Sequence, residues 1–219
     1  MLAGFLTYLR TNIQFLFLLA LWLLVGLYGS YSVYVVVPLS LILLKNKGRY
    51  KELLLGFLFM IVLSDRVESS FGFAANLKSV YILLLSAFIL LDRKQFEPFN
   101  TLYQRFIPFF AVAVVSAFLG DFFFIAIQKT LSYFLLLLVV PNYITQTCKK
   151  NKYAFFRNLF YFISCLLFLG LILLVLSPET AIMEGRYRGV FGNSNGLGLF
   201  CALIFMLFTL LIDKFKNLF

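Results

Sequence analysis

The chain has 219 residues, of which 63% are hydrophobic and 13% charged, whereas soluble domains run near half apolar and a quarter charged. A water-soluble core could not hide this much apolar surface, so a soluble globular enzyme is excluded and an all-α, polytopic transmembrane bundle is predicted. The net charge of +10 comes without a Lys/Arg block interleaved with aromatics, which leaves no case for nucleic acid, and the absence of histidine with three scattered cysteines leaves none for a structural zinc site.

In chain order, Arg10 precedes the first long apolar run and no A-x-A-like cleavage site follows it. The run therefore reads as an uncleaved membrane helix rather than a signal peptide. The apolar runs predict spans at 13–28, 31–44, 53–64, 78–91, 106–120, 128–146, 158–177 and 197–212, eight in all. Several fall short of the roughly 20 residues that cross a bilayer as a helix. Gly29 and Ser30 predict a tight hairpin between the first two; one long tilted helix over 13–44, giving seven spans, is the alternative. The stretch "DFFFIAIQKT" at 121–130 has seven residues, six of them apolar, between Asp121 and Lys129. That is too few to span, so it is predicted to lie on the surface or re-enter. No internal repeat is visible, and residues 1–219 read as a single integral membrane domain.

Basic residues test this layout, because cytoplasmic loops collect Lys and Arg. With the N-terminus inside, the inner segments carry fourteen basic residues: Arg10, Lys45, Lys47, Arg49, Lys51, Arg93, Lys94, Arg105, Lys149, Lys150, Lys152, Arg157, Lys214 and Lys216. The outer segments carry five: Arg66, Lys78, Lys129, Arg186 and Arg188. Both termini are therefore expected in the cytoplasm.

The five outer cations are candidates for function, because charge near a bilayer is costly unless it serves something. "SDRVES" at 64–69 suggests local pairing of Arg66 with its acidic neighbours, and Lys129 stands beside Gln128 at the start of an apolar run. Arg186 and Arg188 are set apart by "EGRYRGVFGNSNGLGLF", residues 184–200, a Gly-rich loop leading into a helix. Asn193, Ser194 and Asn195 all favour helix caps. A helix N-terminus attracts anions, and arginine adds a fixed charge with a bidentate fork for phosphate oxygens. The segment reads as a phosphate or pyrophosphate cradle; a plain turn with a cap explains its Gly and Asn residues but not its two arginines.

"GRYRGVFGNSNGLGLF" resembles the signature of the O-antigen ligase and polysaccharide polymerase family, roughly R-x-x-G-x-F-x-N-P-N-x-L-G. Arg186, Gly189, Phe191, Asn193, Asn195 and Gly198 match, and Ser194 stands where the family usually has proline. "LSDRVESSFGFAANLKSVYILLL" and "QKTLSYFLLLL" share the family's general look. The resemblance implies transfer or polymerisation of a glycan carried on polyprenyl pyrophosphate, onto a glycan or lipid acceptor, at the outer face of a bacterial plasma membrane. It implies no cofactor, nucleotide sugar or metal. It casts Arg186 and Arg188 as the catalytic cations that stabilise the leaving pyrophosphate, with Gly189, Asn193, Asn195, Gly196, Lys129 and Arg66 binding substrate. Members of the family are longer and carry a large outer loop with catalytic groups, often a histidine, after the signature. The chain is thus expected to be an N-terminal portion, complemented by a second protein half, or a non-catalytic fragment. The competing expectation is a transporter or flippase subunit for an anionic lipid-linked substrate, which calls for a cation-lined site at mid-membrane depth.

Overall fold

The computed structural model describes residues 2–66, 71–96, 101–120 and 122–212, and the described chain is almost entirely helical. In order it forms α1 (Leu2–Thr11), α2 (Ile13–Tyr28), a single 3-10 turn (Ser30–Ser32), α3 (Val33–Asn46), α4 (Tyr50–Ser64), α5 (Gly72–Leu91) and α6 (Thr101–Leu119). Then follow α7 (Phe123–Lys149), α8 (Asn151–Leu176), a one-turn α9 (Pro178–Ala181), the two-residue strands β1 (Ile182–Met183) and β2 (Arg186–Tyr187), and α10 (Ser194–Ile212).

Each of the eight apolar runs read from the sequence becomes a helix, but their lengths differ. Among the described residues, only α5, α7 and α8 are long and apolar enough to cross a membrane alone, and α1 with α2, bent by 67°, would make a fourth. The apolar helices α3, α6 and α10 are shorter. At 1.5 Å per residue the 14-residue α3 reaches about 21 Å, against a hydrocarbon layer of about 30 Å. Length alone therefore carries three or four crossings rather than eight.

Three local expectations change. Residues 2–11 form a helix of their own, which the apolar pattern did not single out. The segment 123–130 neither lies apart nor re-enters; it is the start of α7, continuous with the apolar run that follows, and Asp121 lies outside the described residues. The inner loop expected around 149–157 shrinks to one non-helical residue, Asn151 (φ −163°, ψ 101°). Its Oδ1 accepts the Ala154 N–H at 3.0 Å and so starts α8 as an N-cap.

The sequence alternative of one helix over 13–44 fails. The chain breaks at Gly29–Ser32, and Trp22 Nε1 donates to Ser40 Oγ at 3.0 Å. These two residues lie equally far from Tyr31, so α2 and α3 fold back as a hairpin about the tip.

Helix α4 is the centre of the bundle. Leu53 to Phe57, Phe59, Met60, Val62 and Leu63 are all buried, and a helix apolar all round belongs in an interior. Trp22, Leu53, Met60 and Tyr81 are completely enclosed. Tyr81 packs edge-on to Trp22 at 6.0 Å and donates its hydroxyl to the Leu53 carbonyl at 2.8 Å. A β-carbon at Gly56 would stand 2.6 Å from that hydroxyl, so glycine is what lets α5 approach. The outside of the bundle is also apolar: Phe17, Val112, Phe118, Leu203 and Phe205 are all exposed. Such a surface suits lipid and is a liability in water.

The ends of α4 organise the polar groups. At its start Lys51 donates to Asn12 Oδ1 at 3.0 Å, Arg49 to Gln14 Oε1 at 3.5 Å, and the Tyr50 hydroxyl to Gln95 Oε1. Segments around 12–14, 49–52 and 95 thus meet at one end. Asp65 and Arg66 mark the other end, where the functional candidates assemble.

Candidate functional site

After α8, the chain makes the short turn α9 and a hairpin in which Ile182 pairs with Tyr187 and Met183 with Arg186. The two hairpin-loop residues, Glu184 (φ 51°) and Gly185 (φ 73°), both adopt left-handed backbone. That is the pattern of a two-residue type I′ turn, whose twist matches the strands it joins. The hairpin lifts Arg186 into the open, where its side chain is exposed.

Arg188 points the other way. It is buried, its Nε donates to the Thr180 carbonyl at 3.1 Å, and its Nη1 to the Gly192 carbonyl at 3.1 Å. Nη1 also lies 3.6 Å from the Met183 sulfur. Arg66 reaches the same place from the end of α4. It is buried too; its Nη2 donates to the Thr180 carbonyl at 2.7 Å and its Nη1 to the Gly189 carbonyl at 3.4 Å. Its guanidinium stacks 5.0 Å from the Phe71 ring centroid. Two buried guanidiniums therefore share one carbonyl oxygen, a use of the rigid arginine fork that lysine cannot copy.

Asp65 completes the clamp, since its Oδ2 accepts the Gly192 N–H at 3.0 Å. Gly192 has no alternative in this position, because a β-carbon there would collide with the Asp65 carbonyl. Gly189 holds a left-handed backbone (φ 59°) and passes close to Gly170 of α8. The Arg188 and Gly189 N–H groups both donate to the Ala181 carbonyl, at 2.9 and 3.2 Å. Loss of solvation raises the Tyr187 phenol above its ordinary value, so it stays a neutral hydroxyl through the physiological range.

The loop then enters α10. Of the three capping candidates, Asn193 takes the role: its Oδ1 accepts the Gly196 N–H at 2.5 Å and its carbonyl accepts the Leu197 N–H at 3.3 Å. Asn195, in the first turn, is exposed. Phe191 is buried and packs 4.9 Å from Phe200, which fixes the direction of α10.

The structure thus brings together Arg66, Arg188, Gly189, Asn193 and Gly196, with Arg186 displayed beside them. Lys129 is exposed near the start of α7, and no hydrogen bond or ion pair joins it to this loop among the described residues. Arg66 makes contacts 114 and 123 residues along the chain, while Glu68, a neighbour expected to pair with it, lies outside the described residues. Asp65 and Thr180 were missed by sequence reasoning. Their roles come from one carboxylate and one main-chain oxygen whose partners lie far off in sequence, and no spacing rule reports such contacts.

No family model, curated protein or solved structure matches the chain.

Proposed function

We propose that the chain handles a lipid-linked glycan, transferring or polymerising it from a polyprenyl-pyrophosphate carrier at the outer face of a bacterial plasma membrane. The carrying observation is the shared hold of Arg66 and Arg188 on the Thr180 carbonyl, which fixes the Arg186 hairpin at one end of an apolar bundle. In this reading the eight apolar helices α2–α8 and α10 are the crossings, and both termini are cytoplasmic. The segment resembling the family signature then sits at the outer rim, where a carrier pyrophosphate would lie.

The three arginines divide the work. Arg66 and Arg188 are positioning residues that hold the loop through main-chain carbonyls and make the ground around it positive. Arg186, standing free of the clamp, is the group offered to the pyrophosphate. Negative charge grows on the leaving pyrophosphate as the sugar–phosphate bond breaks, and a fixed cation aimed at it lowers the barrier. Loss of one such donor costs on the order of 100-fold in rate. The cations stand at the end of α4 rather than midway along it, which favours a transferase working at a surface over a transporter. An acceptor-activating group would come from a further segment or a partner half.

The test is a gel ladder of surface glycan, run beside extracted carrier-linked glycan, for cells with the intact gene, its deletion, and Arg186→Ala. Deletion and Arg186→Ala should both lose polymer or ligated product and accumulate carrier-linked glycan, with the protein present at its normal level. An unchanged ladder in both strains sinks the proposal.

A further inference from the structure

The end of the bundle opposite the arginine clamp holds a cavity of about 280 Å³ between the start of α4 and the α7–α8 turn. Arg49, Lys51 and Glu52 line one wall; Gln146, Asn151 and Asn158 line the other. We propose that this cavity binds a phosphate group, borne either by an anionic lipid of the adjoining leaflet or by a small soluble phosphate compound. The proposal stands whether or not the opposite end handles a glycan.

Charge gives the sign of the ligand. Glu52 lies 3.7 Å from Lys51 and offsets it, while Arg49 has no acidic partner among the described residues and makes one long side-chain hydrogen bond, to Gln14 at 3.5 Å. A half-buried guanidinium has five donors and binds phosphate oxygens in pairs. Lys51, held at 3.0 Å by Asn12, is fixed in place as a second donor whose charge Glu52 offsets. Exposed Lys149, Lys152 and Arg157 flank the far wall in sequence and add to the positive field.

The walls supply the rest of the recognition. No side chain caps α4, so the first N–H groups of that helix, at Tyr50, Lys51 and Glu52, have no intrahelical acceptor, and these three residues line the cavity. Asn151 at the head of α8 lies across from them. One uncapped helix start and a guanidinium therefore line one space, and the amides of Gln146, Asn151 and Asn158 can donate to a phosphate or accept from hydroxyls of the alcohol esterified to it. The volume exceeds what a bare phosphate needs and leaves room for a headgroup.

The experiment uses the full chain purified in neutral detergent, with native mass spectrometry and melting followed as phosphatidylglycerol, phosphatidylcholine or inorganic phosphate is titrated in. Phosphatidylglycerol binding that exceeds phosphatidylcholine binding identifies a lipid source; inorganic phosphate binding alone identifies a soluble one. Arg49→Gln/Lys51→Gln should weaken whichever is seen at least tenfold. Asn158→Phe, which fills the cavity from the other wall without touching a cation, should weaken it too. Lys94→Gln, at an exposed cation that does not line the cavity, should leave it unchanged. Binding that survives both cavity changes, or no binding preference for any phosphate probe, overturns the assignment.

Discussion

At the scale of single residues, the glycines of the signature segment do different jobs, and two of them, Gly185 and Gly189, depend on conformational freedom that a side chain would forfeit. Gly189 needs its left-handed backbone, whereas Gly192 needs the absence of a β-carbon against the Asp65 carbonyl. Gly192→Ala should therefore force the loop off the end of α4 and break the Asp65 hydrogen bond with it. We expect a loss of about 3 kcal/mol, the upper range for overpacking, read as a lower unfolding midpoint in detergent and as new proteolytic cutting within 180–192. An unshifted midpoint with an uncut loop would show that Gly192 is not pinned there. The glycine cluster itself was plain in the sequence. The reason for each glycine was not, because it depends on a backbone segment 127 residues away.

At the scale of elements, the positions of the helices were legible because apolar runs are the primary signal of a membrane helix. Gly29 and Ser30 rightly marked the α2–α3 hairpin, and Asn193 stood among the residues suited to cap α10. Helix α1 and the continuation of α7 back to Phe123 were not legible, since neither changes the apolar pattern at a point where a breaker stands. The abrupt α7–α8 turn hid inside a basic polar stretch that reads as a loop. The α2–α3 hairpin rests on the Trp22–Ser40 hydrogen bond. Ser40→Val should leave the indole N–H without that acceptor and cost about 1 kcal/mol, within the range measured for hydrogen bonds between membrane helices. Equilibrium unfolding in mixed micelles, compared with the Trp22→Phe and double variants, would give the coupling; additive effects would remove the bond from the account.

At the scale of the molecule, α4 and α8 both run from the phosphate cavity to the arginine clamp, joining two polar ends through an apolar middle. That arrangement makes a prediction about sides. In a chain whose Cys148, Cys165 and Cys201 are replaced by serine or alanine, a cysteine at Glu184 and one at Lys152 should respond oppositely to a membrane-impermeant maleimide. Position 184 should label in intact cells and position 152 only after the membrane is opened. Equal labelling of the two, or the reverse order, would overturn the proposed orientation. Charge asymmetry in the sequence supplied the expectation of sides that this labelling tests; which residues converge at each end of the bundle required the fold.

The arginine clamp also sets a timetable. Arg66 leaves the ribosome 114 residues ahead of Thr180, and at about 5–20 residues per second the wait is roughly 6–23 s. During that interval α5 to α8 are still being made, and the loop that will receive Asp65 and Arg66 does not yet exist. The clamp is therefore assembled late, since the Arg66 guanidinium waits for the Thr180 and Gly189 carbonyls to be made.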